Sequence, residues 1–307
     1  LICVLRSQQN VYKNLIYIYI YKMNKINSVN IYTLISKNFG DGVNKTFWEY
    51  ITQSKINNNK SDFHYITTGS IMCLVNDKSI IFGTGFISEN GDIGGNNFRS
   101  TSNIKHKTPH KIIAVRGPLT RQKLLNFKIE CPENYGDPLI LMPCLYNFYK
   151  KIKDNIVGII PHYVDKNSNN YQLLKTNLEK EGYTVKYIDI EVGNDYKKII
   201  DMINDCKYII SSSLHGVIMG IVYKKETISI NFSDKVVGNG FKFEDFFKSI
   251  NITYKNINTY NINVMDNVIN VDYDYLQKTG RNLISLIPFI DEKRKQDIIN
   301  KYSTFYT

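Results

Sequence analysis

From Asn30 onward the chain alternates between two hydrophobic rhythms. Short runs that are apolar nearly throughout read as buried strands: NIYTLIS (Asn30–Ser36), FHYITTG, SIIFGTGF (Ser79–Phe86) and KIIAV (Lys111–Val115). Between them lie segments whose apolar residues recur at helical spacing. One passes through Phe47, Trp48 and Ile51. Another, RGPLTRQKLL, carries Pro118 just inside a helix start, where proline is tolerated. The second half repeats the alternation, with NIVGIIP, TVKYIDI, KYIIS and TISIN as strands. YQLLKTNLEKEG, YKKIIDMINDC and LHGVIMGIVY are the helices, the first stopped by Gly182. Strands alternating with helices predict parallel, doubly wound α/β sheets. Asn134–Tyr146 (NYGDP to MPCLY) breaks the rhythm, Tyr149–Asn155 is a Lys-rich linker, and Ile250–Asp272 is Asn-rich without a clear period. Tyr275 to about Asn300 reads as C-terminal helices interrupted at Pro288.

The 307 residues are too many for one ordinary domain and fit two α/β domains of roughly 120–150 residues each. The expected division is an N-terminal α/β domain over 23–150, a C-terminal α/β domain over 151–272 and a helical tail over 273–307. Residues 1–22 are expected to fall outside the fold. Leu1 is not methionine, LIYIYIYK (Leu15–Lys22) reads like translated TATA repeats, and Met23 is the expected natural start. No apolar run of about 18 residues is present, so no integral membrane segment is expected.

A net charge of +11 fits either nucleic acid or an anionic substrate. The lysines are scattered among Asn, Ile and Tyr without an Arg-rich stripe, which argues against nucleic acid. The five cysteines include no C-x-x-C pair and no histidine at metal-ligand spacing. Their odd number points to reduced thiols in a reducing, cytoplasmic compartment, and no metal site is expected.

The richest chemistry lies in SSSLHG, Ser211–Gly216, between the strand KYII and the helix-like VIMGIVY. Ligands of open α/β sheets bind outside the carboxyl ends of strands. A helix N-terminus there offers free N–H groups and partial positive charge to an anion. Ser211, Ser212 and Ser213 would form that cradle, and His215 can move a proton near neutral pH. In AVRGPLTR, Arg116 directly follows a strand and can clamp a carboxylate or phosphate, or else tie one domain to the other. Asn38 and Asp41, in the turn NFGDG, cap a helix or hold a ligand hydroxyl. Gly83 and Gly85 end a strand but form no dinucleotide fingerprint. His162 follows a strand and faces either a cleft or a loop carbonyl. Lys235 lies beyond TISIN at the same sheet edge as His215. His64, His106 and His110 have no partners in pattern and read as structural or solvated.

Taken in order, NFGD, FGTGFIS, VRGPLTR, YGDPLILMP, VGIIPHYVDK, ISSSLHG and GFKFEDFFKSI resemble the polysaccharide pyruvyltransferases, most closely the ketal-pyruvate branch that acts on exopolysaccharides. The resemblance covers about Asn30 to Ile250. It implies two Rossmann-like domains facing a cleft, as in GT-B glycosyltransferases. It implies transfer of pyruvyl from phosphoenolpyruvate, the co-substrate, to two hydroxyls of a sugar or glycan, giving a cyclic ketal and phosphate, with no cofactor. His215 would be the acid/base residue and Arg116 an anion-binding residue, with Lys235 a further basic group of the donor pocket. The acceptor would lie against the N-terminal domain, near Asn38, Asp41, Gly83 and Gly85, with His162 across the cleft. Many members carry Arg directly before Leu-His, where this chain has Ser213. Two other readings stay open on the residues: a nucleotide-sugar glycosyltransferase of similar fold, and a non-enzymatic basic protein that binds glycan or nucleic acid.

Overall fold

The computed structural model describes residues 28–34, 36–91, 93, 107–147 and 154–307. Residues 1–27, which include the segment expected to fall outside the fold, and His106 lie outside the described residues. Two parallel sheets follow one another along the chain. The first contains β1 (Ser28–Tyr32), β2 (Lys55–Asn57), β3 (His64–Ile66), β4 (Ser79–Phe82) and β5 (Lys111–Ala114), in the order β2-β1-β3-β4-β5. The second contains β6 (Ile156–Ile160), β7 (Thr184–Tyr187), β8 (Tyr208–Ser211) and β9 (Glu226–Ser229), in the order β7-β6-β8-β9. This is the Rossmann-like α/β arrangement that the alternating rhythm predicts. β2 escapes the sequence reading because only Ile56 of its three residues is buried.

Helices cover the sheets for reasons visible in the side chains. β6 is buried along its whole length, as a central parallel strand covered on both faces must be. α1 (Phe39–Gly42) and α2 (Asn44–Thr52) follow β1. Trp48 of α2 is fully buried, donates to Thr67 Oγ1 at 2.9 Å and meets Phe47 and Phe82 edge-on. α3 (Pro118–Asn126) follows β5, and the predicted break at 134–146 is a buried 3₁₀ turn, Pro138–Leu141, running into α4 (Met142–Leu145). α5 (Asn169–Lys180) is closed by Gly182 at φ +86, the left-handed stop the sequence predicts. α6 (Tyr196–Asn204) and α7 (Leu214–Val222) flank the second sheet.

α7 is buried on nearly every side because it packs on β8 and β9 on one face and on Pro138–Leu145 on the other. Gly216 and Gly220, four residues apart, share the sheet face. A Cβ on either would stand 2.3 Å from Ser211 Oγ or 2.5 Å from Thr227 Oγ1, so only glycine lets the helix sit this close.

α8 (Phe241–Ser249) follows the second sheet, and 250–272 contains a single 3₁₀ turn, Ile262–Asn267. α9 (Tyr273–Leu286) and α10 (Glu292–Tyr306) are separated at Pro288, as predicted. They do not project as a tail. They return to the first sheet, where Phe289 packs on Trp48 and Tyr65, and Arg294 donates to the carbonyls of Tyr50 and Ile51. Among the described residues no helix is long and apolar enough to cross a membrane.

Candidate active site

In both sheets the first strand of the sheet lies between the second and third. The chain therefore leaves β1 and β3 in opposite directions, and does the same at β6 and β8, opening a crevice past their C-terminal ends. The two crevices face each other. Asn38 and Asp41 follow β1, Ser70 follows β3, His162 follows β6, and Ser213 and His215 follow β8. With Lys242 from α8, these side chains line one cleft of about 330 Å³. The halves are joined on both sides of it. Phe39 N–H donates to Ile190 O at 2.8 Å and Gly193 N–H to Lys37 O at 2.6 Å on one side. The buried pair Arg116–Asp245 closes the other, at 3.0 Å.

His215 stands in the first turn of α7, against the N-terminal turn of the opposite half. A Cβ on Gly40 would fall 1.8 Å from its Nδ1, so the ring needs a glycine there. Its Nε2 is sealed from solvent and has no hydrogen-bond partner among the described residues. Burial, then the charges of Lys242 and Arg116, push the imidazole down to about 3. His162 is its neighbour. His162 Nδ1 accepts from Val164 N–H at 3.4 Å, which places the proton of the neutral ring on Nε2. Burial, then Lys242 and His215, push it down to about 3 as well. Asp41 opposes them in sign. Burial raises its carboxyl to about 6, against the pull of Lys242 and a hydrogen bond with Ser36. Asn38 caps α1, its Oδ1 accepting from Gly40 N–H at 3.1 Å.

The three serines have three different fates. Ser211 Oγ donates to Ile160 O at 2.7 Å and accepts from Ser213 N–H at 3.0 Å, inside the sheet edge. Ser212 Oγ donates to buried Asp165 at 2.7 Å and accepts from His162 N–H at 2.9 Å, which fixes His162. Ser213 alone of the three lines the cleft.

Other expected site residues lie elsewhere. Arg116 is fully buried and does not line the cleft. Its Nε donates to Asp245 Oδ2 at 3.0 Å, Nη1 to Ser70 Oγ at 2.6 Å and Nη2 to Phe86 O at 2.5 Å. Asp245 also accepts from Thr120 N–H at 2.9 Å and Thr120 Oγ1 at 2.7 Å, capping α3 from across the molecule. Arg116 thus ties the two halves together, touches the cleft wall through Ser70 and otherwise acts on it through its charge. Gly83 and Gly85 are likewise packing positions, not cleft positions. A Cβ on Gly83, at φ +93, would stand 2.4 Å from Pro138, and one on Gly85 would stand 2.6 Å from Arg116 Cζ. Lys235 is exposed and borders a neighbouring cavity. His64 is structural, bonded to Asp62 O and Ser79 Oγ, and His110 is exposed.

Sequence reasoning missed Lys242, Asp165 and Asp137. Lys242 sits in the first turn of α8, and its ammonium makes no hydrogen bond among the described residues. Burial and the Arg116 charge lower it to about 8, while Asp41 and Asp165 favour its charged form. The readable signal is in FKFEDFF, where Lys242 and Asp245 occur three residues apart amid phenylalanines, on one helix face. Asp137 accepts from Leu139 N–H at 3.0 Å through Oδ1, but its buried Oδ2 has no partner. Burial raises it to about 6, against the Leu139 N–H and Arg116. Among the described residues no three His, Cys, Asp or Glu side chains converge as metal ligands. Burial pushes the thiols of Cys131, Cys144 and Cys206 up to about 12, far from nucleophilic use.

A cleft at facing switch points, holding a histidine and a lysine that have no hydrogen-bond partner for Nε2 or Nζ among the described residues, can bind an anion and move a proton beside it. The family model for polysaccharide pyruvyl transferase matches residues 8–234. The chain belongs to the polysaccharide pyruvyl transferase family. Its role is therefore pyruvyl transfer in polysaccharide synthesis, with a sugar or glycan as acceptor. The match begins ahead of Met23 and ends before α8, so it contains His215 but neither Lys242 nor Asp245. No curated protein and no solved structure matches this pyruvyl transferase.

Proposed function

We propose that this pyruvyl transferase takes its pyruvyl group from phosphoenolpyruvate and closes it as a cyclic ketal on two hydroxyls of one sugar. The observation that carries the reading is Lys242, a buried side chain whose ammonium makes no hydrogen bond among the described residues and which lines the same cleft as the orphaned Nε2 of His215. A partly desolvated cation with no hydrogen-bonded counter-ion is costly, and a bound anion offsets that cost. Phosphoenolpyruvate carries a carboxylate and a phosphate. Lys242 holds one of them, aided by Ser213 and the N-terminus of α7.

The bound anion also resets the histidine. Burial and two cations disfavour the charge of His215 and hold it neutral. An anionic donor beside it raises its proton affinity. His215 then gives its proton to the methylene carbon of the donor, using the electron pair of the carbon–carbon double bond. C2 becomes electrophilic, and a sugar hydroxyl bonds to it while Asp41 takes the hydroxyl proton. Asp41, lifted to about 6, is poised for that base role near neutral pH. The C2–oxygen bond to phosphate breaks with its electron pair, and the second hydroxyl adds to C2 and passes its proton to the departing phosphate, closing the ketal. Arg116 acts at one remove by holding Ser70 in the cleft wall.

Incubation with phosphoenolpyruvate and a panel of hexose and N-acetylhexosamine acceptors tests the reading. The expected result is phosphate release with a mass gain of one pyruvyl ketal on the acceptor. Nucleotide release from a sugar nucleotide, with no phosphate from phosphoenolpyruvate, overturns it.

A further inference from the structure

We propose that a second cavity, beside the catalytic cleft and about 640 Å³ in volume, holds the neutral saccharide units of the acceptor that adjoin the pyruvylated sugar. The inference rests on the pyruvyl-transfer reading above. It moves the body of the acceptor from the N-terminal half, where Gly83 and Gly85 are packed shut, to the C-terminal half.

Position comes first. The cavity lies past the C-terminal ends of β8 and β9, at the start of α8, and it shares Val237 with the cleft. Ser212 forms part of its wall and is held from behind by Asp165, which also accepts from Ser233. The same small scaffold therefore orients His162 in the cleft and the wall of the cavity. The cleft, at about 330 Å³, is near the lower limit for ligand sites and has room for the donor and the reacting sugar. Further units of a glycan must leave it, and the cavity is the adjoining space.

Chemistry comes second. Asparagine amides stand in the wall, Asn239 and Asn256 at its exposed rim and Asn231 half-buried. Asn231, Asn239 and Asn256 make no side-chain hydrogen bond among the described residues, and neither does the Tyr254 hydroxyl. Phe243 and Tyr254, stacked at 5.9 Å and 15°, give the cavity a rigid apolar flank. Amide groups that both donate and accept, set beside an aromatic flank, match the hydroxyl rim and C–H face of a pyranose. The charged groups in the wall, Asp234 and Lys235, are of opposite sign, so the cavity favours a neutral ligand over a phosphate.

The test compares acceptors of different length. Phosphate release from phosphoenolpyruvate is measured with methyl galactoside and galactotriose, and with the corresponding mannose and N-acetylglucosamine pairs. The wild type is expected to favour one trisaccharide over its monosaccharide in kcat/KM. Asn256→Trp, on an exposed loop position, fills the cavity, and Asn256→Ala removes its amide. Both should cut the trisaccharide-to-monosaccharide ratio, the first by about tenfold or more. Raising the salt concentration should leave the ratio in place, because the ligand is neutral. A wild type indifferent to acceptor length overturns the proposal, and so does a variant that lowers both acceptors alike. Relief of inhibition by inorganic phosphate on Lys235→Ser, with the ratio untouched, also overturns it in favour of an anion site. Phosphate release without length dependence sinks the subsite alone, whereas no release with any acceptor sinks the pyruvyl-transfer reading with it.

Discussion

Lys242 and Asp245 stand on the same face of α8, three residues apart, and both are buried. Asp245 is saturated: Arg116 and both donors of Thr120 surround its carboxylate. Lys242 has no hydrogen-bond partner among the described residues; its ammonium lies 5.6 Å from the Phe243 ring centroid and is favoured by the charges of Asp41 and Asp165. One turn of helix thus carries a charge whose needs are met by the protein and a charge whose needs are not. A satisfied buried ion pair positions what surrounds it. An unsatisfied one is tolerated where a ligand completes it. The same division separates Arg116 from His215, although sequence logic assigns both to one anion.

The comparison breaks most directly at Asp245. Asp245→Ala leaves Arg116 buried without its ion-pair partner and α3 without its cap. Urea unfolding should show a loss of about 3–5 kcal/mol. A loss under about 1 kcal/mol would mean that the halves are held by something else. His215→Asn should do the reverse: kcat falls about 10²–10⁴-fold while the thermal midpoint barely moves. Should the midpoint drop with the rate, His215 is a packing residue.

The next contrast is between the two cations. Lys242→Met should raise KM for phosphoenolpyruvate about tenfold or more, as a charged contact disappears. The same change should stabilise the empty protein. Lys242 has a folded pKa near 8 against an ordinary 10.5, so the unfolded chain holds more protons between those values. The burial cost is therefore full below pH 8 and fades as pH rises toward 10.5. Below pH 8 the variant should gain about 1–3 kcal/mol, the gap closing in alkali, and a gap that ignores pH refutes the assignment. Arg116→Lys should have the opposite profile, with stability lowered by about 1–3 kcal/mol and phosphoenolpyruvate affinity changed less than in Lys242→Met.

The smallest effect concerns acid. His162 and His215 are held near 3 against an ordinary 6.5, so the unfolded state binds more protons across that window. Stability is full above pH 6.5 and declines as pH falls toward 3. His215→Asn should flatten part of that decline in acid-unfolding curves.

Much of this was legible in the residues, and the losses have physical causes. The strand–helix alternation exposes both sheets because central parallel strands are apolar throughout, as β6 is. His215 and Ser213 are found because they open a helix at a sheet edge. Arg116 occupies the equivalent place after β5, but its orientation is decided by Asp245, distant in sequence. No local pattern reveals that partner. Gly83 and Gly85 look like ligand-approach glycines because close approach to Pro138 or to Arg116 requires the same missing side chain. Lys242 is hard to single out because lysines are common in this chain, and only its place on an aromatic helix face sets it apart.

The return of α9 and α10 to the first sheet has a consequence for the order of assembly. Trp48 lacks the ring of Phe289, and the carbonyls of Tyr50 and Ile51 lack Arg294, until residues 273–307 have been made. A ribosome delivers the first sheet early and its last packing partners late. The N-terminal strands therefore wait, incompletely covered, while the whole second sheet emerges. Sequence separations of more than two hundred residues across one core make this half slow to close. Until those helices arrive, the apolar surface they cover is open to aggregation.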